Sequence, residues 1–266
     1  MTFLEKLDTI VSQNNSLLCI GLDPEFEKLP DNFKSNPNPQ FEFNKSIIDA
    51  THDLVCCYKP NSAFYEARGA EGISELKMTC EYVLQQYPEI PVILDAKRAD
   101  IGNTNNGYIS FAYEYLKVDA ITLHPYLGSE ALKPFFDKTE KGNFILCKTS
   151  NPGAGELQDL QINNEPLYKH IAKLVTKDWN GNNNCALVVG ATYPNELLEI
   201  RKIAPDIIFL IPGIGAQGGD LENTLKNGLR TDKKGLIISS SRGVIFADSP
   251  RSEAEKLRNE INTYRV

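Results

Sequence analysis

PVILDAKRAD (91–100) begins as a strand and ends as a cluster of charge. Its apolar residues run on without alternation, as expected of a strand covered on both faces. Asp95 and Lys97 are two apart, so a regular strand projects them from one face, roughly 6–7 Å apart along its length. Asp100 follows after Ala99, where the chain is expected to turn into a helix. Charges in such a partly buried place must be paired, because an isolated one is costly. A structural ion pair satisfies that demand; so does an array that holds an ammonium fixed beside a reacting carbon.

The same design recurs along the chain. LLCIGLD (17–23), LVCCYKPN (54–61), DAITLHP (119–125), NFILCKTS (143–150), CALVVGA (185–191), IIFLIPGIG (207–215) and LIISSSRG (236–243) are apolar runs that turn polar or Gly-rich at their ends. With 91–98 they predict eight buried parallel strands. Helical stretches are expected between them, over 41–53, 62–87, 103–116, 129–139, 165–179, 195–203, 221–227 and 252–263. The first residues read as an amphipathic helix with Phe3, Leu4, Leu7, Ile10 and Val11 on one stripe. Eight units share 266 residues, about 33 each, which suits a single-domain α/β chain, a (β/α)8 TIM barrel over residues 1–266. An open doubly wound sheet has the same alternation, and periodicity does not distinguish the two.

Composition bounds the partners. The chain has 28 Lys and Arg against 35 Asp and Glu, a net charge of −7, with 41% hydrophobic and 24% charged residues. That is a globular balance, neither disordered nor low-complexity. An acidic chain is not expected to bind nucleic acid, and an anionic ligand needs a local positive site. No apolar run is long enough for a membrane helix, and the first residues lack a leader pattern, so a cytoplasmic location is expected. The six cysteines show no C-x-x-C and no zinc spacing. They read as buried free thiols.

Polar groups collect at the strand ends: Asp23, Lys59 and Asn61, Asp95 and Lys97, His124, Ser150, and Arg242. In a barrel these converge on one mouth. Pro24–Gln40 and Asn151–Pro166 read as loops inserted at that mouth, and the Asn-rich 181–185 as a solvated connection at the bottom. PGIGAQGG (212–219) places Gly213, Gly215 and Gly218 as G-x-G-x-x-G. The motif alone is weak, and here it follows the seventh strand rather than the first. There it fits the phosphate loop of a barrel, with Gln217 as an amide donor and Arg242 as a bidentate anion grip. His52 and His170 read as ordinary helix residues. His124 lacks a partner that would make it catalytic. Arg98 should point away from Lys97 toward the helix layer.

DAKRADIGNT (95–104) resembles the signature of the orotidine 5′-phosphate decarboxylase family. GLDP (21–24), YKPNSAFYEARGAEG (58–72), TLHPYLG (122–128), KTSNPGA (148–154), PGIGAQGG (212–219) and SSSRG (239–243) extend the likeness in order, toward its longer bacterial and protozoan branch. The resemblance implies a (β/α)8 homodimer with shared active sites and no metal or organic cofactor. The reaction it implies is loss of CO2 from orotidine 5′-phosphate to give UMP, a step of pyrimidine synthesis. It implies that Lys59, Asp95, Lys97 and the partner's Asp100 form the charged network, with Lys97 protonating C6. It places Asp23 and Asn61 at the ribose with Thr104 from the partner, and Pro212 and Ile101 along the site. Gln217 and Arg242 would hold the phosphate. Ser150 would read the pyrimidine, though Thr149 beside it carries a second hydroxyl.

Other readings share parts of this pattern. A phosphosugar epimerase, or a metal-assisted keto acid decarboxylase, would use the same phosphate loop. The metal-assisted version would need further ligands at the strand ends. A Schiff-base aldolase would want a neutral lysine, which the nearby aspartates oppose. A non-catalytic phosphosugar-binding module would leave the desolvated charges at Asp95 and Lys97 without a purpose.

Overall fold

The computed structural model describes residues 1–214 and 219–265. Eight strands form its centre: β1 Leu18–Ile20, β2 Cys57–Tyr58, β3 Ile93–Arg98, β4 Ala120–Leu123, β5 Gly142–Lys148, β6 Cys185–Val189, β7 Phe209–Ile211 and β8 Leu236–Ser240. They are parallel and ordered β2-β1-β8-β7-β6-β5-β4-β3. Single bridges, Tyr58 to Val92 and Asn61 to Asp95, join the two ends. The sheet is therefore a (β/α)8 barrel and not an open doubly wound sheet.

The apolar runs form strands here because helices cover the outside while side chains fill the inside. β1, β2, β4, β6, β7 and β8 are buried along their whole length. β3 differs: it is buried through Leu94 and opens from Asp95 onward. That change of environment lies at the carboxyl end of the barrel.

The amino end is closed by helix Phe3–Gln13. Thr2 and Glu5 cap it reciprocally, and Phe3, Leu7, Ile10 and Val11 are buried. Phe3 meets Phe144 edge-on at 5.5 Å between ring centres. A side chain at Gly142 would collide with the Phe3 ring at 2.5 Å, so glycine is what admits this floor.

Some expectations change. The helix expected over 62–87 is two, Ala63–Glu66 and Gly69–Gln86, separated where Gly69 takes φ +60°. Within the loop Asn151–Pro166, a small antiparallel hairpin pairs 161–162 with 165–166, so the next helix begins at Leu167 rather than Glu165. The asparagine run at the bottom is not merely solvated. Asn184 is buried and donates to the carbonyls of Phe136 and Lys138, and Asn182 donates to Phe136 as well. These amides satisfy carbonyls freed where helix Gly128–Phe136 ends. All six cysteines are buried and free, and among the described residues no helix is long and apolar enough to cross a membrane.

Candidate active site

A cleft of about 1140 Å³ opens at the carboxyl ends of the strands. A smaller hollow of about 310 Å³ lies at the other end, beneath the N-terminal helix. There both cations are paired, Arg230 with Asp232 and Lys234 with Asp8. The cleft holds the chemistry.

Asp95 stands at its centre. Oδ2 accepts from Lys59 Nζ at 3.2 Å and from Asn61 Nδ2 at 3.4 Å. Oδ1 accepts from Lys97 Nζ at 2.6 Å and from the Thr122 hydroxyl at 2.9 Å. The Lys59 and Asp95 side chains are only 7% and 13% exposed, whereas Lys97 is 48% exposed. The buried lysine is thus a fixed counter-charge, and Lys97 is the cation open to a ligand. Burial pushes the Asp95 carboxyl up, but Lys59 and Lys97 oppose this and hold it well below the usual carboxylate range. Burial pulls Lys59 down, yet Asp95 and Asp23 together lift it above the usual ammonium range. Opposite charge outweighs desolvation in both.

Lys97 reaches Asp95 by a different route from a regular strand. Leu94 pairs with Ile121 and Arg98 with Leu123, so three residues of β3 face one of β4. Lys97 itself has φ +48°. The bulge turns both charges into the mouth. Arg98 does point to the helix layer, where it pairs with Glu66 and lies 5.4 Å from the Tyr108 ring centre.

Around this centre, Asp23 Oδ1 accepts from the Asn61 amide at 3.0 Å, tying the ends of β1 and β2. Thr149 is already engaged: its hydroxyl donates to Asn151 and accepts from Gln158, and its amide donates to Gln158. Among the described residues nothing occupies the Ser150 hydroxyl. Any side chain at Gly190 would strike Ser150 at 2.7 Å, so glycine lets β6 approach. Pro212, Gly213 and Arg242 line the far rim, and Gly213 takes φ +101°. Gly215, Gln217 and Gly218 lie outside the described residues. His124 Nε2 contacts the Ala99 carbonyl at 3.1 Å and braces the chain before Asp100.

Asp100, Ile101 and Thr104 do not line the cleft of a single chain. Asp100 Oδ1 accepts from its neighbour Ile101, while Ile101 is 60% exposed. Sequence reasoning passed over Thr122, Lys148 and Gln158. Lys148 is fully buried and paired with Asp159 at 2.5 Å, with its ammonium 4.6 Å from the Tyr193 ring centre. For Thr122 and Lys148 the only signal was a polar residue within an apolar run; Gln158, in the inserted loop, gave none. Among the described residues no group of acidic, His or Cys side chains could hold a metal ion.

The cleft can therefore fix an ammonium and a carboxylate at its centre and grip an anion at its rim. Residues 16–257 match the family described as "Orotidine 5'-phosphate decarboxylase / HUMPS family". The chain is 50% identical to the orotidine 5′-phosphate decarboxylase of Cellvibrio japonicus, with the whole of both chains covered. Among solved structures, it is similar to Leishmania donovani OMP decarboxylase, with a TM-score of 0.90, 41% identity, and 100% and 99% of the two chains covered. It is also similar to Leishmania donovani UMP synthase, with a TM-score of 0.92 and 43% identity over 100% of this chain and 57% of that one.

Proposed function

The chain belongs to the orotidine 5′-phosphate decarboxylase / HUMPS family and is a carboxy-lyase that converts orotidine 5′-phosphate to UMP and CO2, and we propose that Lys97 supplies the proton that C6 receives. The observation that carries this reading is the Asp95 carboxylate held between Lys59 at 3.2 Å and Lys97 at 2.6 Å, with Lys97 facing the cleft.

In the reaction, the bond between C6 and the carboxylate breaks. CO2 leaves, and the electron pair stays on C6. No neighbouring group of the pyrimidine accepts that pair, so stabilisation has to come from charge already in place. Lys97 provides it and then transfers one N–H proton to C6; water later restores the lysine. Asp95 aims the ammonium, and Lys59 balances Asp95 from behind. A carboxylate beside Asp95 is repelled, and neutral CO2 is not. Arg242, with the loop after β7, grips the phosphate, whose binding energy serves to order the site. Asp23 and Asn61 meet the ribose, Pro212 flanks the ring, and Ser150 reads the pyrimidine.

The site is completed by a second copy of the chain, which contributes Asp100, Ile101 and Thr104. Ile101, Tyr126 and Leu127, exposed at 60%, 85% and 42%, lie just past the ends of β3 and β4 and supply apolar surface for that contact.

The test follows the absorbance of orotidine 5′-phosphate with purified, chelator-treated protein. Turnover is expected. Its absence overturns the reading, and turnover that returns only with added metal favours the metal-assisted alternative.

A further inference from the structure

Three residues of β3, Asp95, Ala96 and Lys97, face the single residue Thr122 on β4. A bulge of this size leaves backbone amides without ladder partners. Their bonds can be followed one by one. The Asp95 amide turns to β2 and donates to the Pro60 carbonyl at 2.9 Å. The amides of Ala96 and Lys97 both donate to the Thr122 hydroxyl oxygen, at 3.0 and 2.9 Å. The same hydroxyl donates its own hydrogen to Asp95 Oδ1 at 2.9 Å. One side chain, 1% exposed, thus uses its full capacity of one donor and two acceptors on three consecutive residues.

The conformation held there is an unfavourable one. Lys97 has φ +48°, in the left-handed region that residues with a Cβ rarely occupy. Its Nζ meets the same Asp95 oxygen that Thr122 contacts, at 2.6 Å. Backbone and side-chain direction of Lys97 therefore converge on one hydroxyl. We propose that Thr122 is a positioning residue for the decarboxylation: its hydroxyl replaces the missing ladder partners of the bulge and thereby aims the Lys97 ammonium at the reacting carbon. This rests on the reading of Lys97 as the proton donor.

Thr122→Val keeps the shape and removes the hydroxyl; Thr122→Ser keeps the hydroxyl. Steady-state kinetics, UMP binding by calorimetry and thermal unfolding are measured on each. Thr122→Val is expected to lose about 100-fold in kcat, the scale of a small misplacement of a reacting group. KM and the UMP Kd should stay within about three-fold, because a group acting in the transition state leaves ground-state binding intact. Thr122→Ser should recover kcat to within about ten-fold of the parent, while its Tm stays close to that of Thr122→Val.

The proposal is overturned if Thr122→Val keeps parental kcat. It is equally overturned if Ser fails to rescue, or if kcat and UMP affinity fall together as Tm falls. Should Thr122→Val not fold, Thr122→Cys is compared with Thr122→Ser. The weaker sulfur acceptor predicts a kcat about ten-fold lower, and equal rates overturn the proposal. Absence of turnover in the parent protein would instead sink the decarboxylase reading.

Discussion

Lys59 Nζ lies 3.2 Å from Asp95 Oδ2, across the seam where β2 and β3 close the barrel. The same carboxylate takes Lys97 on its other oxygen at 2.6 Å. One aspartate thus shares its charge between a buried lysine and an open one. Closure of the barrel and assembly of this charged cluster share a contact, the Asn61 to Asp95 bridge.

Removing the open lysine separates chemistry from binding. Lys97→Ala should lower kcat by at least about 1000-fold, since charge stabilisation and proton delivery are lost together. UMP affinity should change by less than about ten-fold, because the contacts proposed for Arg242 and at the ribose are untouched. Stopped assays and calorimetry on one preparation measure both, and a parallel loss of UMP binding would contradict the assignment.

Removing the shared carboxylate should cost stability as well as activity. Asp95→Asn leaves the Lys59 ammonium buried without its counter-charge, which is expected to destabilise the fold by about 3 kcal/mol. Urea unfolding measures it. The same substitution at exposed Asp137, which caps helix Gly128–Phe136 and among the described residues pairs only with Lys133, should change stability by less than about 1 kcal/mol.

The pH dependence of that stability follows from the two shifts. Asp95 is held below the usual carboxylate range, so its contribution is complete above the unfolded value of about 4 and is lost as pH falls through the folded one. Lys59 is held above the usual range, so its contribution is complete below the unfolded value of about 10.4 and is lost as pH rises through the folded one. The stability difference between the parent and Asp95→Asn should therefore narrow as pH falls below about 5, where only the parent loses the Asp95 charge. A difference that stays constant on acidification would contradict the geometry.

Lys148 ties the long loop after β5 to the barrel through exposed Asp159, whereas the lysine itself is fully buried. Asp159→Asn should free the loop carrying Gln158, raising KM by about ten-fold and exposing residues 151–166 to limited proteolysis. Asp159→Glu should restore most of both. Unchanged proteolysis would show that the pair does not hold the loop.

The proposed dimer with shared sites is tested with mixed dimers. Neither Asp100→Asn nor Lys97→Ala should be active alone. After subunit exchange, one site of each hybrid carries no substitution, so activity should return to about a quarter of the parental level with random pairing. No recovery in verified hybrids would place Asp100 outside its partner's site.

The sequence determined the strands. Burial of a parallel sheet on both faces demands continuous apolar runs, and all eight can be read directly. It also determined the charged centre, because Asp95 and Lys97 stand where an apolar run ends, and Lys59 and Asn61 end another. Closure was left to the tertiary structure, since it rests on two bridges between residues distant in the chain. The bulge in β3 was left to it too: two extra residues are visible only against β4. Thr122 and Lys148 looked like ordinary polar members of their runs, because what a hydroxyl or ammonium bonds to depends on which strands become neighbours. Asn184 misled for the same reason. The position of Asp100, Ile101 and Thr104 outside the cleft of one chain was also undecidable from spacing. Spacing sets the order of groups along a strand, but only packing decides which face, and which mouth, they enter.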